Sequence, residues 1–237
     1  MILLTIKQLK NKNMRVMHNL GAVLIVILIL TSSCAVKRYT LDPVFYSSGS
    51  DLGLVLIKND ISTRRSGQSA LGMAVTDNTK YDSQLKVVDR KLHPERKFKT
   101  MYSNLFESKG KSFKIMDINY DVDHFAEFSS PGGEKEFYKA DIRSMQDEYN
   151  IDELMIVTID YGLNQNYSGM FEAGKGGYSH IVTQIVNLAD NSIIYKGETW
   201  GNGRLEKGWD TPPDYEPLRM AIDAAINQAL ESERERY

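Results

Sequence analysis

Apolar and polar positions along the chain follow two rhythms, and the changes of rhythm mark the elements. Leu54-Val55-Leu56-Ile57 is an unbroken apolar run, the pattern of a buried central strand. Between residues 67 and 89, Ala70, Leu71, Ala74 and Val75, then Leu85 and Val88, fall at helical spacings, interrupted near residues 77–82. Behind Pro94 a longer helix carries Phe98, Met101, Tyr102, Leu105 and Phe106 on one stripe and stops before Gly110. Phe113, Ile115 and Met116 suggest a second short strand, and residues 129–137, rich in Ser, Gly and Pro, read as a turn segment.

The second half has the clearer architecture. Residues 140–149 predict a helix with Ile142, Met145 and Tyr149 on one face, and residues 151–163 a strand rich in β-branched side chains. Residues 176–188 alternate, with Ile181, Thr183, Ile185 and Asn187 opposite Val182, Gln184, Val186 and Leu188. Turn residues 189–192 then make residues 178–200 a hairpin. Leu218, Ile222, Ala225, Ile226 and Ala229 give the closing helix its apolar face, behind Pro217 in the first turn. Helix, strand, hairpin, helix predicts an α+β two-layer sandwich, a mainly antiparallel sheet with helices on one face and an amphipathic C-terminal helix.

The beginning of the chain follows other rules. Leu20 to Leu30 is apolar throughout but too short to span a bilayer, which takes roughly 20 residues. Lys7, Lys10, Lys12 and Arg15 precede it, no acidic residue occurs before position 34, and Thr31-Ser32-Ser33 lead to Cys34, the one cysteine. That is the layout of a signal peptide, with Met1, Met14 and Met17 all possible starts. The full chain has 29 basic and 31 acidic residues; removing residues 1–33 takes away those four basic ones and leaves a formal charge of −6. A nucleic-acid binder would show a basic surplus or stripe, and there is none. A single cysteine also rules out a disulfide framework within the chain.

Small residues followed by cysteine after a short apolar run resemble the lipobox of bacterial lipoproteins, although Thr31 stands where that family usually has Leu. The resemblance implies cleavage between Ser33 and Cys34, diacylglyceryl transfer to the Cys34 thiol and acylation of the new amino terminus. It further implies a lipid anchor in the bacterial envelope, at the outer membrane facing the periplasm. The expected organisation is a signal peptide (1–33), a lipidated cysteine and flexible tether (34–50) and one α+β domain (51–237). Residues 152–162, 178–200 and 221–230 also resemble a group of periplasmic lipoprotein domains. That group includes the TolB amino-terminal domain, the curli-secretion lipoprotein and the lipoprotein activators of penicillin-binding proteins.

Motifs of chemistry are few. Gly169, Gly174 and Lys175 match a phosphate loop, but Gly176 stands where Ser or Thr must ligate magnesium, and a strand is expected where the helix should be. No nucleotide or other cofactor is therefore expected. Asp117, Asp121, Asp123 and His124 are dense enough for calcium but miss the EF-hand spacing, so no metal is expected either. A hydrolase or metal-dependent site assembled from distant residues, around Asp121, His124 or His180, stays open as an alternative. So does a subunit of a secretion pore, which would need long alternating strands facing lipid.

The favoured expectation is a non-enzymatic binding or assembly module with an envelope protein or glycan partner. Its candidate contact residues are the aromatics of two expected loops. Tyr167, Phe171 and Tyr178, with Tyr161 and Met170, surround residues 169–177, and Trp200, Trp209 and Tyr215 flank residues 201–217.

Overall fold

Six strands build one sheet, and their alternation decides which face each side chain joins. The computed structural model describes residues 41–68 and 79–237, with the backbone alone for Gln68. The expected signal peptide, Cys34, and the helical positions Ala70, Leu71, Ala74 and Val75 lie outside the described residues. Element order is α1 (Val44–Ser47), β1 (Leu52–Lys58), β2 (Ser62–Gln68), α2 (Asp82–Asp89), α3 (Pro94–Lys109), β3 (Phe113–Ile115), α4 (Met145–Tyr149), β4 (Glu153–Gly169), β5 (Phe171–Asn187), β6 (Ile193–Arg204) and α5 (Glu216–Arg234). A short 3₁₀ turn, Val122–His124, lies between β3 and α4. No helix among the described residues is long and apolar enough to cross a membrane.

The strands run β3-β1-β4-β5-β6, and β2 pairs with the later part of β4. The two long ladders, β4 with β5 and β5 with β6, are antiparallel, while β1, β2 and β3 join in parallel. The fold is α+β. β6 shows most simply why the layers form: Tyr195, Gly197, Thr199, Gly201 and Gly203 are buried, and Lys196, Glu198, Trp200, Asn202 and Arg204 between them are exposed. The buried face packs with Phe45 of α1, Leu85 and Val88 of α2, Phe98 and Phe106 of α3, and Leu218, Ile222 and Ile226 of α5. On the other face, Val55, Leu154, Ile156 and Val186 are covered by Met116, Tyr138, Ile142 and Met145. That cover reaches only the first part of β4 and leaves the rest of the face open.

Four expectations change. Gly67 belongs to a strand, β2, rather than to the start of a helix. The helix of residues 140–149 shrinks to α4, because the buried Asn191 takes the preceding backbone for itself. Its amide donates to the carbonyls of Tyr138 and Ala140, both at 3.0 Å, and its carbonyl accepts from Ile142 N–H at 3.3 Å. Residues 169–177 are not a loop: β4 turns through Gly169 and Met170 directly into β5, two strands of 17 residues each. The polar residues along the far end of this hairpin do not give it a lipid-facing side.

The fourth change concerns the expected tether, which is folded from Leu41 onward. Phe45 is buried, and the ammonium of buried Lys111 donates to Phe45 O (3.0 Å), Ser48 Oγ (3.0 Å) and Ser50 Oγ (2.8 Å) while pairing with Glu153 (2.8 Å). One charge collects four partners and fastens this segment to the start of β4.

β4 is central, as its composition suggests, but α5 lies mainly over β5 and β6 rather than over β4. Ile222 is fully buried beneath it. Ile222→Ala should cost about 2–5 kcal/mol in urea unfolding. A loss below about 0.5 kcal/mol, typical of surface positions, would place that helix face in solvent.

Candidate functional site

On the open half of the sheet, strand register sets polar and aromatic side chains in rows. Asp160 of β4 lies opposite His180 of β5, which lies opposite Trp200 of β6. One row along, Gly162 faces Tyr178, which faces Asn202. β2 adds Ser62 opposite Gly162 and Arg64 opposite Asn164. Because side chains alternate across a strand, all of these share the face away from α5.

The centre is a three-layer stack. The rings of His180 and Trp200 are parallel within 10°, with centroids 3.6 Å apart, and the Arg64 guanidinium lies 4.1 Å from the Trp200 ring. Asp160 Oδ2 approaches His180 Nδ1 at 3.5 Å and Glu198 Oε2 approaches Nε2 at 3.4 Å, ion-pair distances once the imidazole is protonated. Asp160 is itself fixed, accepting from Asn59 Nδ2 at 2.7 Å. Arg64 is exposed and makes no ion pair among the described residues. Trp200 keeps 41% of its surface in solvent, unusual for a side chain that is mostly buried in folded proteins.

Beside the stack, Tyr178 is buried with its hydroxyl 2.8 Å from Ser62 Oγ, and burial pushes that phenol above its ordinary value. A cation spread over an aromatic face is held in one orientation, which lowers the entropy lost when it meets a ligand. The arrangement suits recognition. Among the described residues no hydroxyl lies within hydrogen-bond reach of His180 to serve as a nucleophile beside a base.

The predicted contact residues separate. Trp200 belongs to the stack and Tyr178 to the row beside it, and both are in strands rather than loops. Trp209 meets Tyr81 edge-on at 5.2 Å and Tyr215 precedes α5; both pack on the opposite, helix-covered face. Tyr167 is half-buried near the β4–β5 turn, where Met170 and Phe171 are 71% and 81% exposed.

Lys175 is held by Glu172 and lies 5.6 Å and 5.7 Å from the rings of Tyr81 and Trp209. With β5 on both sides of it, there is no helix amino terminus to cradle a phosphate. Asp121 and His124 stand 3.6 Å apart in an exposed turn, and His180 contacts neither. Among the described residues no group of three or more His, Cys, Asp or Glu is placed to hold a metal ion. Cys34 lies outside the described residues. Arg64, Asp160 and Glu198 were not anticipated. The exposed alternation of β6 signals Glu198, but Arg64 depends on β2, whose polar sequence hides it.

No family model matches the sequence, and no curated protein matches it. Solved structures resemble it at a distance. A hypothetical protein of Chlamydia trachomatis, CT253, aligns at 8% identity over 79% of this chain and 96% of its own, with a TM-score of 0.33. The LpoB C-terminal domain of Salmonella enterica aligns at 10% identity over 68% of this chain and 94% of its own, with a TM-score of 0.23. PelC of Paraburkholderia phytofirmans, solved as a dodecamer, aligns at 7% identity over 76% of this chain and 89% of its own, also at 0.23. With scores this low, none of the three bears on what this chain binds.

Proposed function

We propose that this chain is a lipid-tethered, non-enzymatic binding module of the bacterial envelope, placed at the outer membrane on its periplasmic side. Its partner, an envelope protein or a glycan-bearing component, is engaged through the open half of the sheet. The observation that carries the binding reading is the stack of Arg64, Trp200 and His180 on an uncovered sheet surface. The run from Leu20 to Cys34 supports the tether, because two or more acyl chains on one cysteine anchor stably where one does not.

The test is a photoreactive residue at Asn202, beside the stack, and a control at Asp147 on α4, both exposed. Irradiating intact envelopes should give an adduct at 202 that disappears with Trp200→Ala. Equal labelling at 147, or none at 202, would remove the open face as the binding surface. Mass spectrometry of the amino-terminal peptide checks the tether separately. It should begin at an acylated Cys34, and an unmodified Met1 or Met14 terminus would refute the anchor without touching the face.

A further inference from the structure

The outer surface of the helical layer carries a second feature, unrelated to the open sheet. Between α3 and α5 runs a groove of about 650 Å³. Met101, Leu105 and Leu230 supply apolar lining, and the lining also includes Arg96, Lys97 and Arg234. Lys97 is held by Asp223 (2.6 Å) and Asn227 (2.8 Å), and Arg234 by Glu231 (2.6 Å). Arg96 is exposed and makes no ion pair among the described residues. An apolar trough edged by cations, one of them unspent, is complementary to an amphiphile rather than to a wholly polar or wholly apolar ligand.

We infer that the groove binds one long-chain fatty acid, its hydrocarbon on Met101, Leu105 and Leu230 and its carboxylate on Arg96. The volume falls within the roughly 300–1,000 Å³ range of small-ligand sites. A guanidinium can grip the carboxylate through two parallel N–H···O bonds. The groove is also close to where the described chain begins. Tyr46 donates its hydroxyl to Tyr237 O at 3.1 Å, and its ring lies 5.3 Å from the Lys109 ammonium, beside the groove's Ser108 and Arg234. In a chain tethered through Cys34 the bilayer would be a nearby source of acyl chains; the groove's chemistry does not depend on the tether.

Photolysis of the full chain with a diazirine-bearing palmitate tests this directly. Label should map to peptides of α3 and α5 and be competed by palmitate. A diazirine alkylamine of the same length should give at least tenfold less label. Shortening the competitor should weaken it progressively, by at most about fourfold per methylene removed, the value for a fully buried one. Thr100→Trp, which fills the groove from its exposed rim, should abolish labelling, and Arg96→Glu should reduce it at least fivefold. Circular dichroism verifies that each variant is folded, and Asp147→Asn, at an exposed position of α4 outside the groove, should label like the parent. Label spread over the surface, equal labelling by the amine, or undiminished labelling of folded Thr100→Trp would each overturn the assignment.

Discussion

Gly201→Val should leave no folded domain, and Gly201→Ala should cost more than about 3 kcal/mol. A Cβ built on Gly201 would stand 1.8 Å from Ala225 O and 2.7 Å from Ala229 N, both backbone atoms of α5. On Gly203 it would stand 1.7 Å from Ala221 O, and on Gly177 2.2 Å from the same oxygen. These contacts cannot be relieved by rotating a side chain; the helix must lift off the sheet. Lifting it would uncover Leu218, Ile222, Ala225 and Ile226 together, each fully buried. A typical domain has only about 5–15 kcal/mol to lose.

The control is Gly174→Ala. A Cβ there meets nothing within 4 Å, so the change should stay within about 0.5 kcal/mol. Urea unfolding of the three variants separates close approach of the helix from any general intolerance of glycine replacement. A Gly201→Ala protein as stable as the parent would mean that α5 rides higher on β6 than described.

That packing explains what the sequence conveys and what it withholds. The apolar stripe of α5 is plain in Leu218, Ile222 and Ile226, because a helix that buries one face must repeat near every 3.6 residues. Its docking site is not, because a glycine floor has no hydrophobic signature. Gly201 and Gly203 look like a loop after Trp200, although they continue the strand in which Trp200 and Asn202 point the other way. β2 is hidden for a related reason. Ser62, Arg64 and Ser66 lie on the open face, and Thr63, Arg65 and Gly67 alternate with them instead of large apolar residues, so no apolar alternation marks the strand.

The candidate site inherits the same blindness. Trp200 stands out as an aromatic, but its contact with His180 depends on register between β5 and β6, and that with Arg64 on a strand that pairs elsewhere. Trp209 and Tyr215 look equivalent to it in sequence and end on the opposite face. Composition names aromatic side chains; only strand pairing sorts them.

Glu233→Ala should destabilise the domain by at least about 4 kcal/mol, the second large effect. In sequence, Glu233 sits among Glu231, Arg234 and Glu235 and reads as one more solvated charge at the end of a helix. It is in fact fully buried, and it lies in the last turn of α5, where the helix dipole disfavours a negative charge. Hydroxyl groups make up for this. Glu233 Oε1 accepts from Thr183 Oγ1 (2.6 Å), Tyr102 OH (2.8 Å) and Tyr237 OH (3.1 Å), and Oε2 accepts from Thr199 Oγ1 (2.8 Å). Burial, with the nearby Glu233 charge, pushes the Tyr102 phenol well above its ordinary value, so it stays protonated and able to donate.

Removing the carboxylate leaves several buried hydroxyls without their acceptor, each costing about 1–3 kcal/mol, and opens a cavity among α3, α5, β5 and β6. Glu233→Gln keeps the shape but turns an NH₂ toward groups that need an acceptor, so it should fall between the parent and alanine. Tyr102→Phe removes one donor and should cost about 1.5–3 kcal/mol, the worth of a hydrogen bond to a charged group. Because both residues share one network, Tyr102→Phe combined with Glu233→Gln should cost less than the two single changes added together. Urea unfolding of the four proteins completes that cycle. A Glu233→Ala loss below about 1 kcal/mol, or strict additivity in the cycle, would show that the carboxylate is not the acceptor that ties the end of α5 to the sheet.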